Sequence, residues 1–259
     1  MGTFRFKKFD VVNERSAMKV NTDGVLLGAA MTLYETDRNL LDVGTGTGTI
    51  ALMAAQRLSE LSETSQHHTS ERSISPCFSE ASCIDAIDID EPSATEAADN
   101  FRNSPWGKKL TAYNMSLDDF ATAYPDRKYD LIFSNPPYFV DSLTAPDERK
   151  STARHTSDGL SYKDIFDFAE KRLTDSGRVA LVLPADQEID LCRYARMTGM
   201  HLFRIIRVRT VPRKSPIRII AEFSRNRCNE PHEEVLTIQN EGKYTERYLS
   251  LTHDFYLFA

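Results

Sequence analysis

From residue 39 onward, short apolar runs alternate with stretches whose apolar positions recur every three or four residues. That alternation is the pattern of strand–helix–strand units wound into a parallel sheet. The predicted strands are Asn39–Val43, Ile84–Ile89, Leu110–Asn114, Tyr129–Ser134 and Arg178–Leu183, with helices predicted between them over Thr49–Leu58, Glu91–Asn103, Tyr162–Leu173 and Asp186–Met197. Two further β-rich runs, Leu202–Val211 and Ile217–Arg225, are separated only by Pro212–Pro216. That connection is too short for a helical crossover, so the two runs are expected to pair antiparallel. The expected fold class is α/β, with a seven-stranded sheet of five parallel strands and an antiparallel C-terminal pair.

Two segments lie outside this rhythm. In residues 1–38, Thr22 is placed to cap a short helix running from Asp23 to about Leu33. Between the first helix and the second strand, Ser59–Cys83 is rich in Ser, Thr and Glu and has almost no apolar periodicity. Such a composition cannot offset the entropy of ordering, and a mobile surface insertion over 59–83 is expected. The chain thus divides into an N-terminal extension, 1–38, that covers the functional site, and one main domain, 39–259.

Composition changes this picture little. Among 259 residues, 41% are hydrophobic and 27% charged, ordinary for a water-soluble domain. No run of about 18 apolar residues exists, so no membrane span is expected. The opening MGTFRFKKFDVVNE has no signal-peptide core, and a cytoplasmic location follows. Cys77, Cys83, Cys192 and Cys228 show neither metal-ligand spacing nor a disulfide framework, and the pair His67 and His68 stands alone; free thiols and no metal are expected.

Charge changes it more. The net charge is −6, yet Arg193–Arg227 holds ten basic residues against one acid, Glu222, and FRFKKF at the N-terminus interleaves Arg5, Lys7 and Lys8 with Phe4, Phe6 and Phe9. Acids gather instead between Asp85 and Asp99. A dipolar chain of this kind can be acidic overall and still offer a basic face to a polyanion. Arg207, Arg209, Arg213 and Lys214 are the candidate contacts.

Candidate chemistry begins at Leu40-Leu41-Asp42-Val43-Gly44-Thr45-Gly46-Thr47-Gly48-Thr49, where an apolar strand ends and a helix opens. Gly44 and Gly46 allow a sharp turn and a close approach to a ligand, and backbone N–H groups at the helix start face whatever binds. Asp42, just before the turn, is unfavourable beside a pyrophosphate but favourable beside an ammonium. The pattern therefore favours S-adenosylmethionine, with its α-ammonium and sulfonium, over a dinucleotide. Folds of this kind place an acid at the end of the second strand, about 20 residues beyond the glycines, to hold ribose hydroxyls. Asp88 follows Gly48 by 40 residues, and removing the 59–83 insertion restores the spacing. Asp90 competes, but lies where a helix N-cap is expected.

The second motif is Asn135-Pro136-Pro137-Tyr138, delivered by the strand Tyr129–Ser134 to the crevice outside the strands' carboxyl ends. The Asn135 side-chain oxygen and the Pro136 carbonyl can both accept from one NH2 group. Pro136 and Pro137 restrict the backbone, so these acceptors are held before a substrate arrives. Tyr138 can stack on a flat base or amide. An amine held in line with a sulfonium methyl needs no strong base to begin attack.

With these motifs the chain resembles a class I, Rossmann-like methyltransferase of the amino-methylating NPPY type. It resembles one family more closely, the bacterial tRNA (adenine-N6)-methyltransferases acting on a valine tRNA at adenosine 37, just 3′ of the anticodon. The likeness covers nearly the whole chain. It includes Phe6-Lys7-Lys8-Phe9, the stretch Ala17-Met18-Lys19-Val20-Asn21-Thr22-Asp23-Gly24-Val25-Leu26-Leu27-Gly28, Asn103-Ser104-Pro105-Trp106, Ala153-Arg154-His155 and Leu251-Thr252-His253-Asp254-Phe255-Tyr256. The resemblance implies that Asp42, Gly44, Gly46 and Gly48 line the cofactor's methionine end, that Asp88 holds its ribose, and that Thr22, Asp23 and Gly24 close its site from the N-terminal side. It also implies that Asn135, Pro136 and Tyr138, with Pro137, grip the adenine. Where similar enzymes offer an Asp to the cofactor's adenine, this chain has Ser116, with Asp118 two residues on. Two other readings stand beside it: N-methylation of rRNA, DNA or a protein glutamine amide, and a non-catalytic RNA-binding module.

Overall fold

The computed structural model describes residues 2–68, 82–137 and 159–258. In chain order the elements are β1 (Thr3–Arg5), β2 (Asp10–Val12), α1 (Thr22–Ala30), β3 (Asn39–Val43), α2 (Thr49–His68), β4 (Cys83–Asp88), α3 (Glu91–Arg102), β5 (Leu110–Asn114), α4 (Leu117–Ala123), β6 (Tyr129–Ser134) and α5 (Tyr162–Arg172). They continue with β7 (Leu173–Pro184), α6 (Glu188–Met197), β8 (His201–Arg209), β9 (Arg218–Ser224), β10 (His232–Thr237), β11 (Gln239–Asn240), β12 (Lys243–Tyr244) and α7 (Glu246–Thr252).

The central sheet has the order β10-β8-β9-β7-β6-β3-β4-β5. From β5 to β7 the neighbours are parallel, while β9 runs antiparallel to both β7 and β8. This is an α/β fold with a mixed sheet, its parallel strands alternating with helices. The antiparallel pair is present, but the seven-stranded expectation needs correcting, because β10 adds an eighth strand parallel to β8 among the described residues. The sequence HEEVLT hides it: only Leu236 is buried, so this outer strand carries no apolar run to signal itself.

Alternation along the inner strands separates two cores. Leu40, Leu131, Phe133, Ala180 and Val182 face α1, α2 and α7, whereas Leu41, Ile132, Val179 and Leu181 face α5 and α6. This period of two is what strand pleating imposes. The N-terminal residues join the first core through Phe6, Phe9, Val11 and Leu27. An unforeseen β1–β2 hairpin carries the first three of these close to its turn.

Three local expectations change. Asn21, not Thr22, caps α1: its side chain accepts from Gly24 N–H at 2.9 Å, and the helix ends at Ala30 rather than Leu33. Past Ala30 the chain is held by side chains instead of helical bonds. Arg57 donates to the Gly28 and Met31 carbonyls, Arg204 to that of Ala30 and Arg178 to that of Thr32, while Glu222 accepts from Thr32 N–H. Burial brings the Arg57 pKa down to about 10. The helix predicted to stop at Leu58 runs on to His68, because Leu61 continues its apolar stripe onto the first core. The rest of the expected insertion, 69–81, lies outside the described residues, as do Cys77, Tyr138 and Ala153-Arg154-His155. Cys83, Cys192 and Cys228 are free thiols. Among the described residues no helix is long and apolar enough to cross a membrane, and no group of metal-ligating side chains forms.

Candidate active site at the carboxyl ends of the central strands

β3 lies between β4 and β6, so the loops leaving these strands share one edge of the sheet. Gly44, Gly46 and Gly48 all have positive φ, between 57° and 79°, which builds the turn from β3 into α2. The turn is laced to β4: Gly44 and Thr45 N–H both donate to the Ile87 carbonyl, and Gly46 N–H donates to Asp88 Oδ2 at 2.8 Å. Asp88 Oδ1 accepts from Asp90 N–H at 2.9 Å, and burial raises the Asp88 carboxyl above its ordinary range against those two bonds. Asp90 is the N-cap of α3, accepting from Ser93 N–H, as its position predicts.

Asp42 lies wholly buried beneath the turn. Its Oδ2 accepts from the Thr45 hydroxyl at 2.7 Å, and its Oδ1 has no hydrogen-bond donor. Burial pushes its pKa up to about 7, while Thr45 and the Ala51 backbone pull it down and the Asp88 charge raises it further. A buried carboxylate oxygen with no hydrogen-bond partner among the described residues can accept from a ligand's donor. It fits the ammonium of S-adenosylmethionine. A Cβ on Gly44 would press on Leu160 at 3.2 Å, and one on Gly46 would touch the Ser16–Met18 segment at 3.6 Å and beyond, so only glycine lets the turn pass this close to its neighbours. Gly48 is different: its added Cβ would run into the Phe101 ring and Ala97 of α3. It lies where α2 packs against α3.

On the other side, Ser134 at the end of β6 donates to the Val43 carbonyl at 2.6 Å, which fixes the Asn135 loop beside the glycine turn. Asn135 and Pro136 are buried and Pro137 is exposed. Asn135 Nδ2 donates to Met18 Sδ at 3.7 Å, and Met18 also lies over Gly46. Asp42, Gly44, Gly46, Asp88 and Asn135 are therefore brought together.

Other expected residues make contacts of their own. Gly24 packs on Ile50 at the start of α2, close to the turn, but Asp23 turns to Arg218, at 2.8 Å. Ser116 is the N-cap of α4, a helix the sequence reading lacked. Its side chain accepts from Asp119 N–H and donates to the Asp119 carboxylate. The basic stretch is partly answered by acids: Arg207 is paired with Glu188 and Glu233, Arg204 with Glu222, Arg193 with Asp190 and Arg218 with Asp23. Arg209 donates to the Thr237 hydroxyl, and Arg213 and Lys214 are exposed at the β8–β9 turn. Residues missed by sequence reasoning include Leu160, over Gly44, and Glu96 and Asn100 of α3, buried against the N-terminal segment.

Known proteins share this architecture. Residues 27–210 match the family model for the RMKL-like methyltransferase domain. A tRNA1(Val) (adenine(37)-N6)-methyltransferase of Parabacteroides distasonis is 40% identical over 98% of this chain and 97% of its own. Among solved structures, one described as a predicted O-methyltransferase of Agrobacterium tumefaciens superposes with a TM-score of 0.61 at 12% identity, covering 90% of this chain and 96% of that one. The 16S rRNA N2 G1207 methyltransferase of T. thermophilus, solved with AdoMet and guanosine, gives a TM-score of 0.52 at 17% identity over 87% of this chain and 50% of that one.

Proposed function

The chain belongs to the tRNA1(Val) (adenine(37)-N6)-methyltransferase family, and from that premise we propose that it transfers the methyl group of S-adenosylmethionine to N6 of adenosine 37 in a valine tRNA. The observation that carries this reading is the adjacency of the Gly44–Gly48 turn and Asn135, tied by the Ser134–Val43 bond. When bound, the cofactor supplies an electrophilic methyl on a sulfonium that departs as a neutral thioether.

The chain's residues do the rest by position. Asp42 offers its donor-free oxygen to the ammonium, Gly44 and Gly46 admit the methionine end, and Asp88 uses its remaining lone pairs on the ribose hydroxyls. Asn135 Oδ1 and the Pro136 carbonyl accept the two protons of the adenine amine, which turns the nitrogen lone pair toward the methyl. Pro137 and Tyr138 border the base. The N–C bond forms as the S–C bond breaks, and the surplus proton leaves the nitrogen for water. Thr22 and Gly24 hold the start of α1 against the turn, and residues 1–38 cover the site. Ser116 and Asp118 border the place for the cofactor's adenine. Arg209, Arg213 and Lys214 contact RNA phosphates. The enzyme acts in the cytoplasm.

Asn135→Ala tests the assignment. Transfer to unmodified tRNA should fall by about 100-fold or more, the size of effect seen when a placed transition-state partner is removed. Cofactor affinity measured by calorimetry should stay unchanged. Loss of cofactor binding in that variant would move Asn135 to the other side of the site.

A further inference from the structure

Asn135 can perform its part only one way round. Its amide must present the oxygen to the incoming amine, because its NH2 would meet another NH2. Nothing in the covalent structure selects that orientation. In this chain the neighbour on the nitrogen side is the Met18 thioether, with Nδ2 at 3.7 Å from Sδ. A thioether accepts weakly and cannot donate. It therefore favours the rotamer with nitrogen toward Met18 and oxygen toward the acceptor site.

Met18 is in turn held by unusual means. Residues 14–16 run as an irregular segment whose backbone N–H groups have no sheet partner. Glu96, buried on α3, takes all three: Oε1 accepts from Glu14 and Arg15 N–H at 2.8 Å each, and Oε2 from Ser16 N–H at 2.9 Å. Burial acts to raise the Glu96 carboxyl, but these bonds and the Arg15 charge outweigh it and hold it ionised below its ordinary range. The Ser16 hydroxyl donates to the Met18 carbonyl at 3.0 Å and lies 2.9 Å from Ser93 Oγ, which reaches the Asp90 cap at 2.6 Å. One turn further along α3, Asn100 donates to the carbonyls of Val12 and Thr47, binding the same segment to the glycine turn. Ser93, Glu96 and Asn100 share one helix face by their spacing.

We propose that Met18 and Glu96 are positioning residues for methyl transfer: the Glu96 carboxylate clasps residues 14–16 so that the Met18 sulfur sets the Asn135 amide with its oxygen toward the adenine N6. The proposal rests on the reading of Asn135 given above. It assigns work to side chains that touch neither reacting atom.

Three variants test it, assayed with S-adenosylmethionine and unmodified tRNA. Met18→Leu keeps the volume and removes the acceptor sulfur. It should lower kcat by about threefold to tenfold, the range of a weak hydrogen bond, with the KM for tRNA and the cofactor Kd within twofold of the parent. Glu96→Gln replaces one acceptor oxygen by an NH2 that repels a backbone N–H. It should lower kcat more than Met18→Leu and also weaken cofactor binding, because the segment lies over Gly46. The double variant should be no slower than Glu96→Gln alone, since both act through one amide.

Melting temperatures separate a structural role. If Glu96→Gln melts earlier but turns over normally below its transition, Glu96 only stabilises the fold and the proposal fails. A Met18→Leu enzyme with parental kcat removes the sulfur from the mechanism even if Glu96→Gln does not fold. A parent enzyme that methylates no tRNA defeats the functional reading instead, and is told apart because these effects are measured relative to an active parent.

Discussion

Asp42 is the residue at which burial and chemistry conflict most openly. Sealed under the glycine turn with a pKa pushed up to about 7, it is largely protonated in the free protein at pH 6. A carboxyl raised in this way adds stability that is fully present below its unfolded value of about 3.8 and is lost as pH rises through about 7. An ammonium placed against its donor-free oxygen reverses the preference and expels the proton. Cofactor binding at pH 6 should therefore release close to one proton. Titration calorimetry in two buffers of different ionisation enthalpy measures this directly, and Asp42→Asn should abolish the buffer dependence. Equal heats in both buffers at pH 6 would place the ammonium elsewhere. This residue and Asp88 stand out in the sequence because one ends a strand just before the glycines and the other follows them at the spacing expected once the insertion is removed. Gly48 is ambiguous in sequence because positive φ and close packing select glycine as strongly as a ligand does. Glu96 was illegible for a related reason: within the acid-rich run from Asp85 to Asp99, only the fold separates a buried clasp from a surface charge.

At the scale of elements, the antiparallel β8–β9 pair followed from a five-residue proline-bounded turn, but its charge did not. Sequence places ten cations against one acid between Arg193 and Arg227. Of the acids that answer them, Asp23 comes from α1, Glu188 from α6 and Glu233 from β10, pairings that the order of the chain does not reveal, while Asp190 and Glu222 lie close by in sequence. The turn itself carries Arg213 and Lys214 exposed, and it leaves the same sheet edge as Asn135. Three strand spacings of about 4.8 Å separate β6 from β8, so the turn stands about 14 Å along that edge. A nucleotide chain entering the Asn135 pocket can span that distance within a few phosphates. Replacing Arg213 and Lys214 by Gln should weaken tRNA binding and make its logarithmic salt slope shallower by about 1.5, from two lost phosphate contacts. Arg207→Gln should leave that slope as it was, because its charge is already answered by Glu188 and Glu233. Filter binding across a salt series distinguishes the two outcomes, and an effect confined to Arg207 would overturn the placement of the RNA.

For the molecule as a whole, the site's precision depends on α1, which carries Asn21 to Gly24 up to the glycine turn at one end and is anchored deep between sheet and helices at the other. That anchor is polar. Glu222 on β9 is fully buried and accepts from Arg204 at 2.6 Å and from both the backbone and the hydroxyl of Thr32. Arg204 also donates to Ala30, so β8, β9 and the end of α1 are joined through one carboxylate. Strand periodicity predicted the layers that meet here. It could not predict this junction, since Glu222 reads as a lone acid in a basic, apolar strand. Removing one partner of a buried pair leaves the other charge uncompensated, at a cost of about 3–5 kcal/mol. Glu222→Leu should therefore lower the melting temperature by about 6–20 °C, given about 2–4 °C per kcal/mol for a domain of this size. The double variant Glu222→Leu with Arg204→Met, which removes both charges, should recover a large part of that loss. If the single variant melts like the parent, the junction contributes little. The end of α1 would then be held by Arg57 and Arg178 alone, leaving apolar packing to fix the helix against the site.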